Sequence, residues 1–137
     1  MDLLQLCKKY VNYTHLERCE LARKGWLGIS DWFNSTEDAL SWFGCFCAIL
    51  AGADKKNNSS EAMVFRGATW FDIEYTTFYK AVNEAYNNRE LFNAVRSTLN
   101  KMDLDTKACA LQAGLCMICA DKEVTQSEYD MIQKLFF

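Results

Sequence analysis

Two pairs of carboxylates recur at one spacing. Asp54 precedes Glu61 by seven residues, and Asp121 precedes Glu128 by seven; a shift of 67 residues carries the first pair onto the second. Each Asp follows an apolar stretch, Cys45–Ala53 in one half and Gln112–Ala120 in the other. Each Glu opens a further segment in which Val64-Phe65 matches Met131-Ile132. An Asp at a helix end sits where the dipole is negative and carbonyl oxygens are free. Carboxylates with carbonyls are the donors that a hard cation such as Ca²⁺ or Mg²⁺ takes. Glu123 adds a third carboxylate in the second half, where the first half has Lys56. The pattern is not an EF-hand: counted from Asp121, the sixth and twelfth positions are Gln126 and Ile132, where that loop needs Gly and Glu. The same residues have an ordinary reading as well. A Glu at the third position of a helix completes a capping box, and Lys55, Lys56 and Lys122 neutralise the aspartates.

The seven cysteines offer a second chemistry. Cys116-Met-Ile-Cys119 is formally a CxxC, and Cys45 and Cys47 lie in the matching apolar segment. Four thiolates can hold zinc. However, the 67-residue shift sets Cys116 against Ile49 and Cys119 against Gly52, so these positions read as core. An odd count, mostly inside apolar stretches, points to a reduced, cytoplasmic protein and not to a secreted disulfide framework. His15 is the sole histidine and reads as a partly exposed helix residue. No phosphate-binding glycine loop, nucleophile elbow or His-Glu-x-x-His occurs.

The elements that must position these residues are helical. The chain has 137 residues, half of them hydrophobic, with no proline and six glycines. That suits one all-α domain and argues against disorder or a turn-rich β fold. A net charge of −3 removes the footprint of a nucleic-acid binder. The N-terminus carries no targeting signal. The longest apolar run, Ala39 to Ala53, is about 15 residues and too short to span a bilayer.

Periodicity and caps predict about seven helices. The first covers 2–24 and is ended by Gly25, followed by a tryptophan-rich loop over 25–35. The second runs from a Ser35 or Thr36 cap to about Gly52. The third, capped by Asn58, covers 59–69. The fourth runs from Asp72 to about Tyr86, and the fifth from an Asn88 cap to Met102. The sixth runs from an Asp105 cap to Ala120. The seventh opens at the Thr125–Glu128 capping box. The result is a single helical bundle containing two pseudo-repeated helical hairpins, in which 39–53 and 106–120 are the buried centre.

Ala120-Asp121-Lys-Glu-Val124-Thr-Gln-Ser-Glu128 resembles the half-motif of the TerB-like family, small helical proteins of tellurite-resistance and stress-response operons. That half-motif is an apolar helix, Ala-Asp-Gly, one residue, Ile or Val, three residues, Glu. Ala53, Asp54 and Glu61 match it in the first half. The likeness covers roughly 38–137, and segment 1–35 has no counterpart. The resemblance implies a two-halved all-α bundle whose acidic patch, here Asp54, Glu61, Asp121 and Glu128, takes a metal ion. The motif's glycine is replaced by Lys55 and Lys122, and its Ile/Val by Asn57 in the first half.

The expected function is a non-enzymatic intracellular binding module of stress response or element defence, with a Ca²⁺ or Mg²⁺ site at Asp54, Glu61, Asp121, Glu123 and Glu128. The alternative is a protein-interaction adaptor or inhibitor, of the kind a phage or mobile element encodes, on the same scaffold without metal. A metal-dependent hydrolase is the third reading. A protein partner is expected, and nucleic acid is not. If a cation binds, Glu123 makes the second half the stronger site, because affinity rises with ligand charge. Asp121→Asn should then weaken Ca²⁺ or Mg²⁺ binding, measured by titration calorimetry, more than Asp54→Asn does.

Overall fold

The computed structural model describes residues 2–53 and 59–137, with Tyr75 described by its backbone alone. The described residues form eight α-helices and no strand. They are α1 (Leu3–Val11), α2 (His15–Trp32), α3 (Thr36–Ala51), α4 (Ser59–Thr69), α5 (Tyr75–Ala85), α6 (Arg89–Lys101), α7 (Leu104–Ile118) and α8 (Gln126–Phe136). None is long and apolar enough to cross a membrane. The all-α class is the expected one, but there is one more helix than the periodicity predicted.

The extra helix comes from a break at Asn12–Thr14. Thr14 Oγ1 accepts from the Glu17 backbone N–H at 3.1 Å, and Glu17 Oε1 accepts from the Thr14 N–H at 2.9 Å. That reciprocal pair satisfies two otherwise orphaned donors and starts a new helix. Gly25 does not end a helix, and the expected loop over 25–35 shrinks to 33–35, because α2 continues to Trp32. Glycine costs about 1 kcal/mol in a helix interior, but here tertiary packing outweighs that cost. A Cβ on Gly25 would stand 2.5 Å from the Cys109 carbonyl oxygen of α7. Its absence lets α2 and α7 approach closely. On another side of α2, Gly67 of α4 lies where a Cβ would meet Cys19 Sγ at 2.7 Å. Thus α2 is gripped by α7 and α4 through small residues.

Two other helix starts differ from expectation. Asp103, not Asp105, caps α7, accepting from the Thr106 N–H at 3.1 Å. Hydrogen bonds from Thr106 hold the Asp103 carboxyl below its usual range. Asp72 does not start α5, which begins at Tyr75 after Glu74. Asp72 instead forms an ion pair with Arg66 at 2.9 Å.

The core sits on α3 and α7, as their nearly all-apolar composition requires. Ile49, Leu50, Leu115, Cys116, Ile118 and Cys119 are all buried. Around them runs an aromatic chain. Trp26 and Phe43 have ring centroids 5.2 Å apart, Phe43 and Phe65 are stacked at 5.7 Å, and Trp42 and Phe46 are stacked at 5.1 Å. The tryptophan-rich stretch therefore does pack on the bundle, but as helix.

The α2–α7 approach gives a direct prediction. Gly25→Ala should lower stability by about 1–3 kcal/mol through overpacking against backbone. Gly44→Ala should raise it by about 0.5–1 kcal/mol through helix propensity, because a Cβ there meets nothing within 4 Å. Denaturant unfolding midpoints of the two variants should move in opposite directions.

Candidate functional site

The α7–α8 corner is fully described. α7 closes with Cys119 as its cap, whose N–H donates to the Leu115 carbonyl at 3.0 Å. The chain then turns through Asp121 and Lys122. Asp121 Oδ1 accepts from the Glu123 N–H at 3.1 Å, and Lys122 adopts a left-handed backbone with φ 65°. This is a conformation that glycine takes at no steric cost. Asp121, Lys122 and Glu123 are all exposed.

Glu128 faces the other way and is 0% exposed. Its Oε1 accepts from the Thr125 backbone N–H at 2.9 Å and lies 3.2 Å from Thr125 Oγ1. The Glu128 N–H donates in return to Thr125 Oγ1 at 3.2 Å. This is the expected capping box, with the added feature that its carboxylate is enclosed. Glu61 holds the same third position in α4 and is 1% exposed. Asp54 and the expected Asn58 cap lie outside the described residues, as do Lys55, Lys56 and Asn57.

Of the five expected metal ligands, therefore, Asp121 and Glu123 stand together at the surface, while Glu61 and Glu128 are enclosed within the bundle. Among the described residues, no group of three or more His, Cys, Asp or Glu side chains converges as a cation would require. At the second corner the cap engages Glu128 Oε1, while Asp121 and Glu123 face solvent.

The cysteines are all free. Burial pushes the Cys116 thiol up to about 12 and raises Cys47 well above its ordinary value. Cys119 Sγ donates to the Cys7 carbonyl at 3.8 Å. Cys7 and burial raise the Cys119 pKa. These thiols stay protonated and pack as small hydrophobes. His15 is half-buried, with Nε2 3.4 Å from Cys19 Sγ one turn on. Burial raises the Cys19 thiol, with Arg18 opposing it, so the pair lacks the low-pKa thiolate of a nucleophile.

Two features went unread in the sequence. The first is Arg18, 1% exposed. Its guanidinium donates to the Tyr10, Val11 and Tyr13 carbonyls at the end of α1, and to the Ala120 carbonyl at 3.4 Å just beyond α7. The second is a surface between α2 and α4. Trp70 follows α4 with φ 58° and is 74% exposed. Its N–H donates to the Arg66 carbonyl at 2.8 Å, which makes it a left-handed helix terminus where glycine is usual. The Arg23 guanidinium lies 3.1 Å from the Trp70 ring centroid and donates to the Ala68 carbonyl at 2.9 Å. Leu16, Met63 and Phe71 are exposed along the same shallow groove, beside His15, Glu20, Arg66 and Asp72. Only the Thr14–Glu17 box, which orients the start of α2, carried a sequence signal for this surface.

Comparison of the chain with known protein families, with curated proteins and with solved structures finds no match.

The two roles open to Glu128 are separable by substitution. As a cap, Glu128→Gln should keep most of the stability, since Gln completes the same box, whereas Glu128→Ala should cost about 0.5–2 kcal/mol. Thermal melts with and without millimolar Ca²⁺ or Mg²⁺ should show no cation-dependent shift that Glu128→Gln abolishes.

Proposed function

We propose that this chain is a non-enzymatic helical binding module that works as a protein-interaction adaptor through the α2–α4 face. One observation carries the reading: a tryptophan held in the left-handed region and 74% exposed. A left-handed backbone costs a non-glycine residue about 1–2 kcal/mol, and burial of Trp70 offsets little of it. Its neighbours favour the same use. Exposed Leu16, Met63 and Phe71 make an apolar patch, and Arg23 fixes the indole from its face. Trp and Arg are the residues that most often dominate a protein interface, and exposed apolar patches mark such sites.

The scaffold half of the reading rests on the TerB-like resemblance. The bounds of α4 and α8 coincide under the 67-residue shift, Glu61 and Glu128 share the third helical position, and Lys122 adopts a glycine-compatible backbone at the motif's glycine position. These observations favour two related hairpins. A stress-response or element-defence setting follows from the resemblance alone. The enclosed glutamates make the adaptor without metal the better supported form of it.

Photo-crosslinking tests the face. A photoreactive residue at Met63 should capture a discrete partner in the source cells, and one at Leu104, which is more solvent-accessible, should not. Trp70→Gly suits the left-handed backbone, so it should leave the melting temperature within a few degrees while removing the crosslink. Equal capture from both positions, or capture that survives Trp70→Gly, would refute the reading.

A further inference from the structure

A crevice of about 540 Å³ lies where α3, α4, α5 and the start of α6 meet. Its floor is α3 at Gly44 and Ala48. Leu40, Phe65, Phe78 and Leu91 form apolar walls. The volume lies within the range that holds small molecules, and the mostly apolar lining with a few polar groups is the usual composition of such sites. Ser41, Asn88 and Glu84 supply polar atoms and are all exposed, so they sit at the solvent side.

Gly44 is the second observation. It lies inside α3, where Ala would be better by about 0.5–1 kcal/mol. Its backbone does not need glycine, since no glycine has positive φ, and no neighbour crowds it, since an added Cβ meets nothing within 4 Å. The missing side chain leaves the floor open. Its neighbours in the lining, Leu40 and Cys45, carry side chains and are half-buried, so Gly44 is the one position of this α3 face that contributes no bulk.

Charge then selects the occupant. Glu84 is the sole charged side chain among the described residues of the lining, and no Lys, Arg or His accompanies it. A carboxylate or phosphate headgroup would meet a like charge and no cation. A protonated amine would meet a carboxylate. We propose that this crevice binds a cationic amphiphile, an alkyl or aryl amine whose apolar body lies over Gly44 and whose ammonium group pairs with Glu84. The site is independent of the partner face around Trp70, although Phe71 borders both.

Calorimetric titration of the full chain with decylamine below its micelle concentration tests this, with decanoate as the opposite-charge probe of equal length. Decylamine should bind tighter than decanoate by about tenfold, the sum of losing an exposed attraction and gaining a repulsion. Glu84→Gln should weaken decylamine about two- to fivefold, the worth of an exposed ion pair, and narrow the difference. Gly44→Leu fills the floor and should abolish binding of both while the fold is kept and the melting temperature is not lowered. Trp70→Gly should leave decylamine binding unchanged, so that this site and the partner face fail or succeed separately. No decylamine binding at millimolar concentration, equal affinity for decanoate, or wild-type affinity in folded Gly44→Leu would each overturn the proposal. If Gly44→Leu does not fold, Glu84→Gln decides: unchanged amine affinity there would overturn it equally.

Discussion

A buried guanidinium ties the first helix to the rest of the molecule. Arg18 stands in the first turn of α2 and donates to three carbonyls around the end of α1 and to Ala120 beyond the end of α7. Helix C-termini present unsatisfied carbonyls and the negative end of the dipole, and arginine supplies several donors in a planar fork. One side chain thus donates to carbonyls at two helix ends at once. With α1 seated there, Cys7 and Tyr10 close over the end of α7. Removal of an ionised group from water is costly unless it is hydrogen-bonded, which is why this site fixes the α1–α2 turn so narrowly.

From that anchor α2 runs between α7 and α4, and the closeness of both contacts depends on residues without bulk. Gly25 admits the Cys109 carbonyl, and Cys19 lies against Gly67. Gln112 of α7 adds a hydrogen bond to the Leu21 carbonyl at 2.8 Å, and Arg23 reaches the Ala68 carbonyl near the end of α4. The last contact sets Arg23 over Trp70. The exposed aromatic face is therefore a consequence of how α2 and α4 are held.

The carboxylates illustrate how one sequence pattern supports two chemistries until burial is known. Asp and Glu seven residues apart across a helix–turn–helix corner serve equally as cation ligands or as turn and cap residues. At the second corner, Asp121 closes a turn in water and Glu128 closes a cap inside the protein.

Local signals determined most of the elements. The Ser35 and Asn88 caps, the Thr125–Glu128 box and the mostly apolar 39–53 and 106–120 runs were legible because each acts within a turn or two of chain. The Thr14–Glu17 box was equally legible and went unread, because the apolar period runs straight through it. What sequence could not decide depends on distant residues. Whether Gly25 ends a helix or admits a neighbour depends on Cys109, 84 residues away in the chain. Whether Arg18 faces solvent or two helix ends depends on Ala120. Whether Trp70 is core or surface depends on how α4 lies against α2. The crevice over Gly44 belongs to four helices at once. Caps and periodicity are properties of a segment, whereas burial, close approach and clefts are properties of pairs of segments, and those appear only when the chain is folded.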